Sequence, residues 1–218
     1  MPATSTKPPQ IARLDLGPLV DGDPADLRGN AQLESVRYTE LAVSHLALPG
    51  AEVVAAEFAG LAADEADLKG ARLSEVVLDR VDVPVVRAAR SRWWDVRVTG
   101  RIGSLEAYES ELRSVHFVGC KLSFVNLRGA ELLDVAFTDC VIEELDLAQS
   151  KVRRVRIEGC RIAHLDVQHS ELHDFDLRGA ELEGIAGLSH LRGTTITSSQ
   201  LTLVAPLLAA ELGINIVD

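Results

Sequence analysis

Aromatic side chains are scarce in this sequence: Phe, Trp and Tyr together make up 4% of it, beside a single Met, although hydrophobic residues reach 47%. A conventional globular core usually draws more of its volume from aromatic rings. The shortage therefore favours a narrow interior filled by small and aliphatic side chains. Only three cysteines occur, an odd number that makes no disulfide framework. No apolar run approaches the length of a membrane span, and the opening MPATSTKPPQ has no apolar h-region of a secretory signal. A soluble, cytoplasmic protein is the expectation. Positive charge is also in short supply, since 22 Lys and Arg stand against 33 Asp and Glu for a formal net charge of -11. A surface of that sign gains no counterion release from nucleic acid and is not drawn to anionic membrane, so neither is expected as a direct partner.

What is abundant is repetition. From Leu112 an apolar residue falls at every fifth position, through Phe117, Leu122, Leu127 and Leu132 and on to Leu177 and Leu182. Two residues ahead of each centre lies a second inward candidate, as at Val115, Cys120 and Val125. A period of five fits neither the 3.6 of a helix nor the 2 of a long strand. It fits a chain that runs briefly extended, points two side chains inward, turns a corner and repeats. A longer period is superimposed: Cys120, Cys140 and Cys160 are evenly spaced with Ala180 next, and Phe117 and Phe137 lead to Ile157 and Leu177. Four units therefore close one coil, with small residues on two opposite faces and larger ones on the other two. Gly119, Gly129, Gly159 and Gly179 each precede a small-residue face, where a corner of positive φ costs glycine least.

The upstream half keeps the rule in another register, from Leu33, Tyr38, Val43 and Leu48 to Trp93 and Val98. The next centre, Ile102, comes one residue early, which places a deletion near Thr99–Arg101. Across that gap the faces still align, with Ala31, Ala51, Ala71, Ser91, Ser110, Ala130, Ser150 and Ser170 in one small-residue column. The expected fold is an all-β solenoid, a right-handed quadrilateral β-helix of about eight four-sided coils with a short C-terminal helical cap. At about 4.8 Å per coil it would be roughly 35–40 Å long. Units such as Ala25-Asp26-Leu27-Arg28-Gly29, Ala66-Asp67-Leu68-Lys69-Gly70, Ala71-Arg72-Leu73 and Ala130-Glu131-Leu132 resemble the A-(D/N)-L-x-x unit of pentapeptide repeat proteins. The resemblance extends over about residues 25–196.

The ends read differently. Residues 1–10, rich in Pro, Ser, Thr and Lys, are expected to form a disordered tail, residues 11–30 an N-terminal cap or first coil, and residues 31–196 the β-helix. In 197–218, Ser198 or Ser199 would cap a helix carrying Leu201, Val204, Leu208 and Leu212 on one face, with Gly213 as its stop. Ile214–Val217 would form a short strand. This segment is expected to cap the last coil and is a candidate homodimer seam, because an exposed strand edge has to be covered. The stretch 84–109 is irregular: Trp93 takes an interior place usually held by Leu or Val, near Pro84, Gly100 and Gly103. Packing around a bulky ring is one reading of it, and a protruding contact site including Trp94 is the other.

Candidate chemistry is thin. Cys120, Cys140 and Cys160 share a column with Ala180 and read as small core hydrophobes. His164, His169 and His173 fall on different corners or faces, so no shared metal is expected. There is no phosphate-binding glycine loop and no nucleophile elbow. Catalytic, metal and cofactor sites are all expected to be absent. Two faces carry an acid excess: Glu111, Glu131, Asp134, Glu171 and Asp174 on one, and Glu143, Glu144, Glu181 and Glu183 on the other. The family resemblance implies a DNA mimic, in which such carboxylates replace phosphates and engage a type II topoisomerase such as DNA gyrase. Interruption of the acidic columns by Arg153, Arg154 and Arg156 supports the alternative, a scaffold for an unrelated protein partner.

Overall fold

The computed structural model describes residues 6–211 and 213–216. The chain winds into a β-solenoid of about nine turns, and neighbouring turns are joined by parallel strand pairing throughout. Registry is set at twenty residues. Leu112 pairs with Leu132, Leu132 with Val152 and Val152 with Leu172, while Leu122, Ile142, Ile162 and Leu182 stack in the same way. Each turn therefore has four short sides, named here after their central residues: the Leu112, Phe117, Leu122 and Leu127 faces. The count exceeds the eight coils expected because both ends add a partial turn. Val20–Asp21 pairs with Val36–Arg37, and Thr194–Thr195 pairs with Phe175–Asp176.

Alternation explains the interior. Within each side two residues point inward and their neighbours point out, so Val115, Phe117, Cys120, Leu122, Val125 and Leu127 are each at most 2% exposed. Phe117 stacks on Phe137 with ring centroids 4.7 Å apart and planes 5° apart. The cysteines are free thiols inside the column. A hydrogen bond shared with Cys120, together with burial, pushes the Cys140 thiol up to about 12, and Cys160 is raised in the same way.

Corners use left-handed backbone at three of the four edges. One corner column runs through Gly119, Asp139 and Gly159, a second through Gly129, Gln149 and His169, and a third through Ser114, Asp134, Arg154 and Asp174, all at positive φ. The fourth, at Phe124 and Glu144, has none. Gly179 departs from the expectation. It is not among the residues of positive φ; it sits at a register shift opposite Glu158, where an added Cβ would lie 2.9 Å from the Glu158 Cα. Its lack of a side chain serves close approach of backbones, not a left-handed turn.

The deletion lies where the spacing places it. Val98 pairs with Phe117, nineteen residues on, but Arg101 pairs with Lys121, twenty on. Gly100, at φ 114°, pairs with Val81 and so takes the corner and the inward position at once. Trp93 is 1% exposed and donates its indole N–H to Ser91 Oγ at 2.8 Å, while Ser91 Oγ donates to the Ala88 carbonyl at 2.6 Å. The small-residue column thus holds serines where the large ring needs an acceptor.

Both ends depart from expectation. Residues 6–10, placed by composition in a disordered tail whose residues 1–5 lie outside the described residues, run along the outside of the solenoid with residues 11–19. Thr6 meets the Thr195 hydroxyl, Lys7 N–H donates to Asp174 Oδ1 at 3.0 Å, Gln10 N–H to Asp134 Oδ1 at 2.8 Å, and Ala12 N–H to Ser114 Oγ at 2.9 Å. At the other end helix α1, Ser198–Glu211, closes the last turn. Its cap is Thr197, not Ser198 or Ser199: Thr197 Oγ1 accepts from Gln200 N–H at 3.1 Å and Gln200 Oε1 accepts from Thr197 N–H at 2.8 Å. That reciprocal pair is a capping box, readable in Thr197-Ser198-Ser199-Gln200. Gln200 then donates Nε2 to the Leu177 and Ala180 carbonyls at 2.6 and 2.8 Å, satisfying acceptors that no further coil reaches. Ile214–Ile216 forms no strand, and Leu212 and Val217 lie outside the described residues.

Candidate interaction surfaces

A solenoid packed with its own side chains presents only its outside. The outward positions of each face form columns that advance about 4.8 Å per turn, so a residue meets as neighbours those twenty before and after it. This decides which carboxylates are displayed and which are neutralised.

On the Leu112 face most acids have basic rungs. Lys151 Nζ lies 2.7 Å from Glu131 Oε1, and Glu131 and then Glu171 raise the lysine's pKa. Arg92 Nε is 3.6 Å from Glu111. Asp134 is not displayed at all. Its side chain is 8% exposed, Arg154 holds both oxygens at 2.7 and 2.6 Å, and the Gln10 N–H takes the remaining approach. A phosphate surrogate at Asp134 is therefore ruled out by its own salt bridge and by the overlying N-terminal segment. Asp174, half-buried, accepts from Lys7 N–H.

The Asp134–Arg154 pair sets a stability expectation. Burial pushes the Asp134 carboxyl up, but the Arg154 guanidinium and the Gln10 N–H outweigh it and hold the group below the ordinary carboxylate value. A carboxylate whose folded pKa is depressed stabilises the fold above its unfolded value, near 3.9, and loses that contribution as pH falls through the folded value. Arg154→Ala should therefore lower stability by about 2 kcal/mol at neutral pH, because a poorly solvated charge loses its partner. The deficit should shrink in urea melts below about pH 4. A deficit constant with pH would mean that packing, not charge, is lost.

The Leu122 face differs in its C-terminal half. Glu143, Glu144, Glu181 and Glu183 are all exposed. Glu181 pairs weakly with Arg161 at 3.4 Å, whereas Glu143, Glu144 and Glu183 have no ion pair among the described residues. Glu143 and Glu183 share a column two turns apart, about 10 Å. The N-terminal half of the same face has small residues outward, Ala42, Ser44, Ala62 and Pro84, together with the exposed Asp64 and Asp82.

The remaining candidates are separated by the coil. His164 stands at the Phe124 corner, His169 packs edge-on against His190 at the Gly129 corner, and His173 lies on the Leu112 face. Among the described residues no group of His, Cys, Asp or Glu is arranged to hold a metal ion. Trp94 is 44% exposed on the Leu112 face, beside Ser74 and Arg113 in its column. In the C-terminal helix the expected seam divides. Val204, 6% exposed, and Leu208, half-buried, face the last turn as part of the cap, while Leu201, Leu203 and Leu207 face outward. The fourth seam residue, Leu212, lies outside the described residues. No helix among the described residues is long and apolar enough to cross a membrane.

Residues 105–186, five-residue units stacked in twenty-residue turns, match the family described as the pentapeptide repeat region. That stretch carries the pentapeptide repeat. Two solved structures are similar to its β-helix. A trypsin-treated variant of QnrB1, described as a plasmid-mediated fluoroquinolone resistance protein, is 16% identical over 87% of this chain and 99% of its own, with a TM-score of 0.32. HetL, a pentapeptide repeat protein involved in heterocyst differentiation regulation in the cyanobacterium Nostoc, is 16% identical over 78% of this chain and 86% of its own, with a TM-score of 0.35. No curated protein matches the sequence. The matched pentapeptide repeats 105–186 include Glu143, Glu144, Glu181 and Glu183, so the displayed acids sit on the most regular part of the solenoid.

Proposed function

We propose that this protein is a non-enzymatic interaction rod whose recognition surface is the C-terminal half of the Leu122 face. The supporting observation is that Glu143, Glu144 and Glu183 cluster exposed on one half-face with no ion pair among the described residues, whereas Glu111, Glu131 and Asp134 of the Leu112 face are paired. Carboxylates held on rigid strands keep fixed spacing, and a basic partner surface that accepts phosphates would accept them. The reading implied by the family resemblance is mimicry of duplex DNA toward a topoisomerase such as gyrase, in the cytoplasm. A scaffold for another protein uses the same rigidity, and the arginines at 153, 154 and 156 favour it on the Leu112 side. Outward-facing Leu201, Leu203 and Leu207 would serve a homodimer contact.

The deciding experiment is supercoiling by purified gyrase with the protein titrated in, with and without a fluoroquinolone. The expected result is inhibition or rescue at micromolar protein or below. Charge reversal at all four positions, E143K, E144K, E181K and E183K, should weaken the effect at least tenfold without changing the fold. No effect at large excess of folded protein would refute gyrase as the partner and leave the scaffold reading, to be pursued by pull-down with the same charge-reversed protein as control.

A further inference from the structure

The N-terminal segment is bound to the rod in an unusual way. Besides the hydroxyl contact of Thr6 with Thr195, it is anchored by three of its own backbone N–H groups, whose acceptors are side chains of a single corner column: Asp174, Asp134 and Ser114. Each of these residues has left-handed backbone, with φ between 54° and 59°. The spacing is matched. Lys7 to Gln10 is three residues, about 10 Å when extended, and Asp174 to Asp134 is two turns, also about 10 Å. The turn between them presents Arg154, a donor with no acceptor to offer. Opposite that turn the segment has Pro8 and Pro9, which have no N–H to leave unsatisfied and which keep the chain extended. Charge agrees as well. No acidic residue precedes Asp15, whereas the corner column also carries Glu75 and Asp95. Ile11 and Leu14 are half-buried at the edge of a groove of about 480 Å³ over the Phe117 face, beside Val77 and His116.

We propose that this corner column is a receptor for an extended, basic peptide, read through main-chain N–H groups, and that residues 6–14 are its resident ligand. The receptor reads the spacing of N–H groups and the position of the proline pair. A partner segment of the same chemistry therefore exchanges with the resident one and uncovers the Asp134 corner as it does so. The site is on a different side from Glu143 and its neighbours, so the two proposals fail independently.

The test uses the full chain. In hydrogen exchange the amides of Gln10 and Ala12 should be protected at least tenfold relative to the D134A/S114A variant, with coil amides unchanged. A second variant, Q10P/A12P, removes two donated N–H groups and leaves the receptor whole. A fluorescent peptide of residues 6–14, TKPPQIARL, should bind Q10P/A12P at least tenfold more tightly than it binds the unmodified protein, whose site is filled. The same peptide N-methylated at Gln10 and Ala12 should lose at least tenfold in affinity for Q10P/A12P, an arm that needs no change in the receptor. Unprotected amides at Gln10 and Ala12 in the unmodified protein would overturn the proposal. So would equal binding of the plain and methylated peptides.

Discussion

Phe137→Ala is expected to lower stability by about 3–5 kcal/mol, among the largest effects of any single truncation in the rod. Phe137 is 1% exposed and stacks on Phe117 in the preceding turn. Removing the ring leaves a cavity that collapse would ordinarily reduce, but the four walls here are tied by parallel ladders to the turns on both sides. The walls therefore cannot move in, and the lost contacts are not recovered. Because each turn touches only its neighbours, hydrogen exchange should show the loss concentrated in the turns around residue 137. Val141→Ala is the matched control. Its side chain is 45% exposed on the neighbouring face, and truncation should change the stability read from urea melts by no more than about 0.5 kcal/mol. Equal losses at the two positions would refute the rigid-wall account.

Gly100→Ala should cost about 3 kcal/mol or more, although it adds only one methyl group. The new Cβ would lie 2.2 Å from the Val81 carbonyl oxygen and 2.5 Å from its nitrogen, both backbone atoms of the adjacent turn, at a φ of 114°. Neither atom can rotate aside. Relief requires the two turns to separate at the point where one residue is already missing. Gly119, at the same corner one turn on, has φ 59° and open space around the added atom. Its alanine variant should cost only about 1 kcal/mol, the left-handed penalty alone. Thermal melts of the two variants therefore separate a steric requirement for glycine from a conformational preference. Equal destabilisation would show that φ alone governs both corners.

The contrast between those two glycines illustrates how much of this protein is legible before folding. The five-residue recurrence from Leu112 to Leu182 identifies the inward column, because a side chain that must face a narrow interior in every unit leaves the same mark every five residues. The twenty-residue recurrence of Cys120, Cys140 and Cys160 identifies the number of sides, and the early arrival of Ile102 locates the deletion. The capping box at Thr197 and Gln200 was equally readable. Ser198 and Ser199 beside it are competing cap residues of the same chemistry.

Other features have no periodic signature. Residues 6–14 look like any polar, proline-containing terminus, since their binding uses backbone N–H groups that every sequence possesses except at proline. Only the spatial coincidence of an extended chain with a corner column of acceptors turns them into a bound segment. The same coincidence removes Asp134 from the displayed acids, although in the sequence it is an outward carboxylate like Glu143. Gly179 reads like Gly159, yet one serves a bulge and the other a left-handed corner. By itself the sequence determined the coil, its four sides and its packed interior, because burial is enforced locally and repeated in every unit. The tertiary structure alone decided which charges reach solvent, because pairing and covering depend on residues twenty, or more than a hundred, positions away.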